Sequence, residues 1–283
     1  MSIVLLQASH ASEVLNISSH EVMVESNPYH YYHVKSSKKD VSSIILLTGY
    51  ATTSNFWNKR FISCLSQNHN LYLLDYKGIN QNISKNNTPE SSIQEMAENV
   101  NEFATTMNLE SSILIGWSMG GAVAITASFL NPHYTHLYLL APVVPNKGNK
   151  LLYTKSPLTK FAPNDIYDYV FNNNIYDYES MNRNVLVNQF VESNITSLFP
   201  TSNFISAQRN AIDTWIEDAE TAKKFVASNV PMTFVLPDHD KIINQSIAIK
   251  TINHYKNKKI INLKNVGHAV SFQDTDEACK VIE

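Results

Sequence analysis

Glycine is scarce: the 283 residues contain seven, where average usage would place roughly 20 in a chain of this length. Cysteine is scarcer, with Cys64 and Cys279 only. Two thiols far apart in sequence are expected to be reduced core residues of a cytoplasmic protein, with a single disulfide as the alternative. Long apolar runs are absent, and nothing approaches the ~18 residues that would span a bilayer. The apolar stretch Ile3 to Leu6 lacks a basic flank, so no signal peptide is expected. Excess positive charge is also missing; a net charge of −3 argues against nucleic acid as the main partner. His30 with His33 and His133 with His136 have metal-like spacing, but neither pair has a third ligand nearby, and no metal is expected.

What is present is enough for a full core. Apolar residues make up 43% and charged residues 17%, which fits one large α/β domain with an insertion or two small domains. The few glycines are informative by position. Gly49, Gly78, Gly116, Gly120, Gly121 and Gly267 all fall in turns next to short apolar runs, and only Gly148 lies elsewhere.

The segment Ile113 to Gly121 reads Ile-Leu-Ile-Gly-Trp-Ser-Met-Gly-Gly, followed by Ala122, Val123, Ala124 and Ile125. A buried strand stops, the chain turns within three residues, and a buried helix begins. In the pattern G-x-S-x-G such a turn lifts the serine hydroxyl of Ser118 above the sheet and brings helix amides beside it. An unassisted hydroxyl is a poor nucleophile near pH 7, so a base and an orienting acid are needed.

In chain order, Glu21 to Glu25 and His30 to Val34 alternate and predict an edge hairpin turning at Asn27-Pro28. Ile44 to Leu47 predicts a buried strand running into Thr48-Gly49-Tyr50-Ala51, with Ser54 or Asn55 capping the next helix. Leu71 to Leu74 is the next strand, ending in Asp75-Tyr76-Lys77-Gly78. Thr88 with Pro89, or Ser92 with Glu95, would start a helix striped by Ile93, Met96, Val100, Phe103 and Met107; that stripe is core packing, with no cofactor role. Leu137 to Ala141 is a further buried strand. From Pro142 to about Asn229 strand-like runs vanish, while helical stripes such as Ile212, Trp215, Ala219, Ala222 and Phe225 remain. The sheet resumes at Met232 to Leu236 and at Ile260 to Leu263, before Gly267-His268 and a last short helix. Alternation of strands and helices predicts a mostly parallel sheet covered on both faces. The core is assigned to 1–142 and 230–283, and 143–229 to a helical cap.

His268 follows the last strand and is the leading base, with His239 a weaker rival. Pro237-Asp238-His239-Asp240 follows the preceding strand and offers two candidate acids, either of which can instead cap the turn before Ile242. The resulting order Ser, Asp, His is that of elbow-type hydrolases.

These segments together resemble the α/β-hydrolase-fold serine hydrolases. Those proteins carry an H-G-x-G loop followed by a tryptophan, a D-x-[RP]-G turn, the elbow, a G-x-x-D segment and a G-H segment. Here they read Thr48-Gly49-Tyr50-Ala51 with Trp57, Asp75 to Gly78, Gly116 to Gly120, Pro237 to Asp240, and Gly267-His268. The resemblance implies Ser118, Asp240 and His268 as the catalytic triad, with Asp238 in second place for the acid. It implies the backbone amides of Tyr50 and Met119 as the oxyanion hole, Tyr50 and Trp117 beside the substrate, and no cofactor. Thr48 stands where the family has histidine, and Ala51 and Pro237 where it has glycine.

Serine at the elbow argues against the dehalogenase and epoxide-hydrolase branches, which use aspartate there. Ester hydrolysis is the expected reaction; thioester or amide cleavage, acyl transfer, or ligand binding without turnover are the alternatives. Gly-Trp-Ser-Met-Gly-Gly with Gly267-His268-Ala269 is similar to bacterial esterases acting on pimeloyl-carrier-protein methyl ester in biotin synthesis. That similarity implies an acyl carrier protein docking on cap lysines, for which Lys147, Lys150, Lys155 and Lys160 are candidates; a solvated lysine-rich face is the alternative. Tyr153, Phe161, Tyr167, Tyr169 and Phe171 would line an acyl pocket or pack the cap onto the sheet.

Overall fold

The computed structural model describes residues 15–24, 27–79, 89–146 and 202–282. Within them run β1 (Ser18–Val24), β2 (Asn27–Val34), β3 (Ser43–Leu47), α1 (Lys59–Ser66), β4 (Asn70–Leu74), α2 (Ile93–Thr106), β5 (Ile113–Trp117), α3 (Met119–Leu130), β6 (His136–Leu140), α4 (Ser202–Glu217), α5 (Ala219–Ala227), β7 (Met232–Pro237), α6 (Gln245–Ile252), β8 (Lys258–Leu263), α7 (Val270–Gln273) and α8 (Thr275–Ile282). The eight strands form one sheet in the order β1-β2-β4-β3-β5-β6-β7-β8. β1 pairs antiparallel with β2, and β2 with β4; every other pairing is parallel. This is the α/β-hydrolase fold implied by the sequence.

The central strands are apolar on both faces because helices cover both. Ile45, Leu47, Leu114, Leu137, Leu139 and Phe234 pack toward α2 and α3, and toward the buried faces of α4 and α5. Their neighbours Ile44, Leu46, Ile115, Leu140 and Val235 pack toward α1, α7 and α8. Period-two alternation therefore assigns each strand residue to one of two cores.

Local differences from the sequence reading have simple causes. Strand pairing carries through Asn27 and Pro28, with Val24 opposite Asn27, so the hairpin turns earlier than expected. The first loop spends Ser54 elsewhere: its amide and hydroxyl donate to the Asp75 carboxylate at 2.6 and 3.0 Å. Asn58 caps α1 instead, accepting from the Arg60 amide at 2.8 Å. Of the two starts offered for α2, Ser92 is the cap, accepting from the Glu95 amide; Thr88 lies outside the described residues. The stripe from Ile212 to Phe225 is two helices, broken where Asp218 caps α5.

The expected reduced thiols are a correction. Cys64 on α1 and Cys279 on α8 form a disulfide between residues 215 apart in sequence. Sheet topology places these two helices side by side on one face, which no local pattern reveals. The disulfide removes the ground on which a cytoplasmic location was expected. Among the described residues, no helix is long and apolar enough to cross a membrane.

Candidate active site

Ser118 joins β5 to α3 with φ 54° and ψ −116°, a left-handed backbone that costs a residue with a side chain on the order of 1–3 kcal/mol. Three backbone hydrogen bonds hold it there. Its amide donates to Leu140 O on β6, and its carbonyl accepts from Gly121 N and Val143 N, each at 3.0 Å. The glycines permit the geometry: a Cβ on Gly116 would lie 2.3 Å from Gly120 O, and one on Gly120 2.2 Å from Leu47 O. Strand, helix and the end of β3 thus meet at van der Waals distance only because neither position carries a side chain.

The loop after β3 passes directly over the serine. A Cβ on Gly49 would approach Ser118 Cβ to 3.2 Å and the Trp117 ring to 3.0 Å. Ala51, where the family carries glycine, keeps the left-handed φ of 56°. Its conformation is held from outside: the Ala51 amide donates to Gln208 Oε1 on α4 at 2.9 Å, and the Thr52 hydroxyl donates to Gly49 O at 2.8 Å. Thr48, in place of histidine, is buried; its carbonyl accepts the Tyr76 hydroxyl at 2.9 Å. Beneath this loop the phenols of Tyr29 and Tyr76 are held well above their usual range by burial, then by the carboxyls of Glu90 and Asp75.

Tyr50 is half-buried between this loop and α4. Burial pushes its phenol up to about 12, with Arg209 opposing and Asp213 adding to the shift. Since the Ala51 amide is taken, the Tyr50 amide is the neighbouring donor of the loop. Met119 opens α3, so its amide has no carbonyl within the helix to reach.

His268 and Asp240 meet as a pair. His268 Nδ1 lies 2.9 Å from Asp240 Oδ2, with side chains 4% and 0% exposed. The Asp240 carboxylate also accepts the amides of Ile242 and Ile243, both at 2.8 Å, and Gln245 Nε2 at 2.9 Å. A carboxylate surrounded by donors can only accept, so Nδ1 carries the imidazole proton and Nε2 of the neutral ring keeps its lone pair. Asp240 combines both roles weighed from sequence, since it holds the turn before Ile242 and the histidine together. Asp238 does neither; its carboxylate accepts the Asn265 amide at 2.7 Å. His239 lies 4.0 Å from Asp238 with its side chain 39% exposed.

Trp117 occupies a supporting position. It is buried, stacks on Phe56 with centroids 4.5 Å apart and planes 2° from parallel, and donates its indole N–H to His268 O at 2.9 Å. Its ring lies 5.5 Å from the imidazole. The residue before the serine therefore fixes the backbone of the histidine. Gln208 and Gln245 were not anticipated, because isolated glutamines form no motif.

Lys147, Lys150, Lys155 and Lys160, and the cap residues Tyr153, Phe161, Tyr167, Tyr169 and Phe171, lie outside the described residues, as does most of the expected cap. No group of three metal-ligating side chains occurs among the described residues.

The fold is shared with several solved proteins. An α/β-hydrolase-fold protein from Chitinophaga pinensis superposes with a TM-score of 0.78 at 14% identity, covering 95% of this chain and 96% of that one. A serine hydrolase, CCSP0084, from the polyaromatic-hydrocarbon-degrading bacterium Cycloclasticus zankles gives 0.76 at 13% identity over 94% and 96%. A loop variant of a haloalkane dehalogenase from Bradyrhizobium elkanii gives 0.68 at 14% identity over 94% and 95%, so the shared fold alone does not choose the chemistry. No curated protein matches the chain by sequence. The family described as serine aminopeptidase, S33, matches residues 38–275. The chain belongs to that family of α/β-hydrolase-fold serine hydrolases.

Proposed function

We propose that this protein hydrolyses a carboxylic ester through an acyl-enzyme on Ser118, with His268 as base, Asp240 as its orienting acid, and the amides of Tyr50 and Met119 as the oxyanion hole. The observation that carries the reading is the buried Asp240–His268 hydrogen bond, tied through the Trp117 indole to a serine in a strained elbow. Nε2 takes the hydroxyl proton as Oγ attacks the ester carbonyl, and the imidazolium is stabilised against Asp240. Negative charge develops on the carbonyl oxygen between the two amides, each such donor contributing roughly 10²–10³ in rate. The imidazolium then protonates the departing alcohol. Water, deprotonated by the same histidine, releases the acid and restores the hydroxyl.

The family's name carries a second reading, cleavage of an amino-terminal residue from a peptide. An aminopeptidase needs carboxylates to bind the substrate ammonium. Asp75, Asp213 and Asp240, which border the site among the described residues, are engaged by Ser54, Arg209 and His268, which favours the ester. The carrier-protein ester of biotin synthesis is one member of that class, and the proposal is for the class.

The test is hydrolysis of p-nitrophenyl esters of two to twelve acyl carbons, beside the p-nitroanilides of alanine and leucine, by wild type and Ser118→Ala. Ester turnover lost by at least about 10³-fold in the variant supports the reading. Equal rates in the two proteins, or turnover of the anilides alone, overturns it.

A further inference from the structure

A glutamine side chain bonded to the loop that crosses the serine holds a donor with no acceptor among the described residues. Gln208 is 2% exposed, and its Oε1 accepts the Ala51 amide at 2.9 Å. A backbone N–H can only donate, so the orientation of the side-chain amide is determined: the oxygen faces Ala51 and the NH2 is the other end. That nitrogen, Nε2, is buried without a hydrogen-bond partner among the described residues. Oε1 and Nε2 share one carbon, so Nε2 lies within ~5 Å of the Ala51 amide. It therefore borders the same loop whose Gly49 touches Ser118. At the head of that loop, Thr48 Oγ1 is a second buried polar atom without a partner among the described residues.

A buried donor left unmade costs about 1–3 kcal/mol, so such groups are rare unless something else completes them. The rest of the helix shows no looseness that would explain it. Phe204 sits against Gly78, Trp215 Nε1 donates to Thr126 Oγ1 at 2.8 Å, and Ile216 O accepts from the Asn146 amide at 2.9 Å. α4 is anchored above, below and beside Gln208, which fixes where the amide stands.

We propose that Gln208 Nε2 is a substrate-recognition donor, and that the substrate carries a second hydrogen-bond acceptor, a carbonyl, carboxylate or ether oxygen, besides the scissile ester. The inference rests on the ester-hydrolase reading above and names the substrate within it. Oε1 on the loop and Nε2 on the substrate make one side chain support the oxyanion loop and read the bound molecule. A plain alkyl ester leaves the donor unpaired in the complex, and sites built to bond a polar group discriminate strongly against analogues lacking it.

The experiment compares matched esters. p-Nitrophenyl 4-oxopentanoate against p-nitrophenyl pentanoate places the extra oxygen in the acyl chain. 2-Methoxyethyl butyrate against butyl butyrate, followed by acid release, places it in the alcohol. Wild type, Gln208→Glu (which keeps an oxygen for the Ala51 amide and removes the NH2) and Gln208→Met are measured with all four. In one of the two pairs, wild type is expected to favour the oxygenated ester by about tenfold in kcat/KM relative to either variant. Loss of loop support alone lowers all four rates and leaves the ratios unchanged. Unchanged ratios in both pairs overturn the proposal, as they would if the donor were completed by water. Titration calorimetry of 4-oxopentanoate and pentanoate, and of 2-methoxyethanol and butanol, with Ser118→Ala needs no turnover. Tighter binding of an oxygenated member, lost in Ser118→Ala/Gln208→Glu, supports the proposal even if no ester is hydrolysed, and equal binding within both pairs counts against it. Ester hydrolysis that depends on Ser118 but shows no ratio change refutes the donor and leaves the ester reading standing.

Discussion

The indole N–H of Trp117 donates to the backbone carbonyl of His268 at 2.9 Å, across 151 residues of sequence. The residue that precedes the serine thus holds the loop that carries His268. Trp117→Phe keeps an aromatic ring against Phe56 and leaves the His268 carbonyl with the Val270 amide, at 3.0 Å, as its remaining donor among the described residues. A loss of about 0.5–1.5 kcal/mol in stability is expected, with kcat reduced about tenfold or more as the imidazole loses its register. Urea unfolding and ester kinetics measure both, and an unchanged kcat would show that the loop is held by other contacts.

Asp240 and Asp238 are separated by one residue and differ sharply in partners. Asp240→Asn keeps an oxygen for the turn but destroys the all-acceptor environment that fixes the His268 tautomer; kcat should fall about 10³–10⁴-fold. Asp238→Asn, which retains an acceptor for the Asn265 amide, should stay within about fivefold of wild type. Similar losses in the two variants would contradict the assignment.

Glu90 gives a pH dependence of stability. It is buried, its Oε1 accepts from Asn99 at 2.5 Å, and its Oε2 has no partner among the described residues. Burial raises its pKa from 4.5 to about 8, against the opposing Asn99 hydrogen bond and Lys77. Between these values the unfolded chain releases the proton and the folded chain keeps it, so this group lowers stability progressively as pH rises from 4.5 to about 8 and adds no further change above. Glu90→Gln keeps the acceptor for Asn99 and cannot ionise. Its advantage over wild type should be small at pH 4.5, grow to a few kcal/mol near pH 8, and then level off. Denaturant titrations across that range test it, and a difference independent of pH would show that Glu90 ionises normally in the fold.

The disulfide ties α1 to α8 across a 215-residue separation. In the chain-entropy account, a loop of that length stabilises by about 5 kcal/mol. The double variant Cys64→Ser/Cys279→Ser should therefore melt well below the oxidised protein, with kcat of the folded population unchanged because neither residue borders Ser118. Reduction by dithiothreitol should lower the melting temperature of wild type and leave that of the double variant where it is. Identical melting before and after reduction would contradict this.

What was legible in the sequence was whatever a local pattern encodes. The elbow is readable because Gly116, Ser118 and Gly120 interrupt apolar runs at a fixed spacing, and because close approach of strand and helix tolerates no Cβ at either glycine. The fold follows from the same alternation of buried runs and stripes. The acid is ambiguous in the sequence because Asp238 and Asp240 share one turn; they part only in the fold, where the Asn265 amide, in the loop after β8, engages Asp238 and His268 meets Asp240. Ser54 looked like a helix cap, but the Asp75 carboxylate, brought alongside by parallel pairing of β3 and β4, claims it. Gln208 carries no signal in the sequence, and the Cys64–Cys279 bond is only the alternative to free thiols there, for a related reason. Their partners lie 157 and 215 residues away, and only the assembled fold brings them together.

The central claim is that Ser118 is a nucleophile activated by His268. Treatment with a fluorophosphonate, followed by digestion and peptide mass spectrometry, tests this without any assumption about substrate. One adduct per chain is expected on the Ser118 side chain, absent in Ser118→Ala and formed at least about 10²-fold more slowly in His268→Ala. Adduct at another residue, or labelling of Ser118 at the same rate without the histidine, would contradict it.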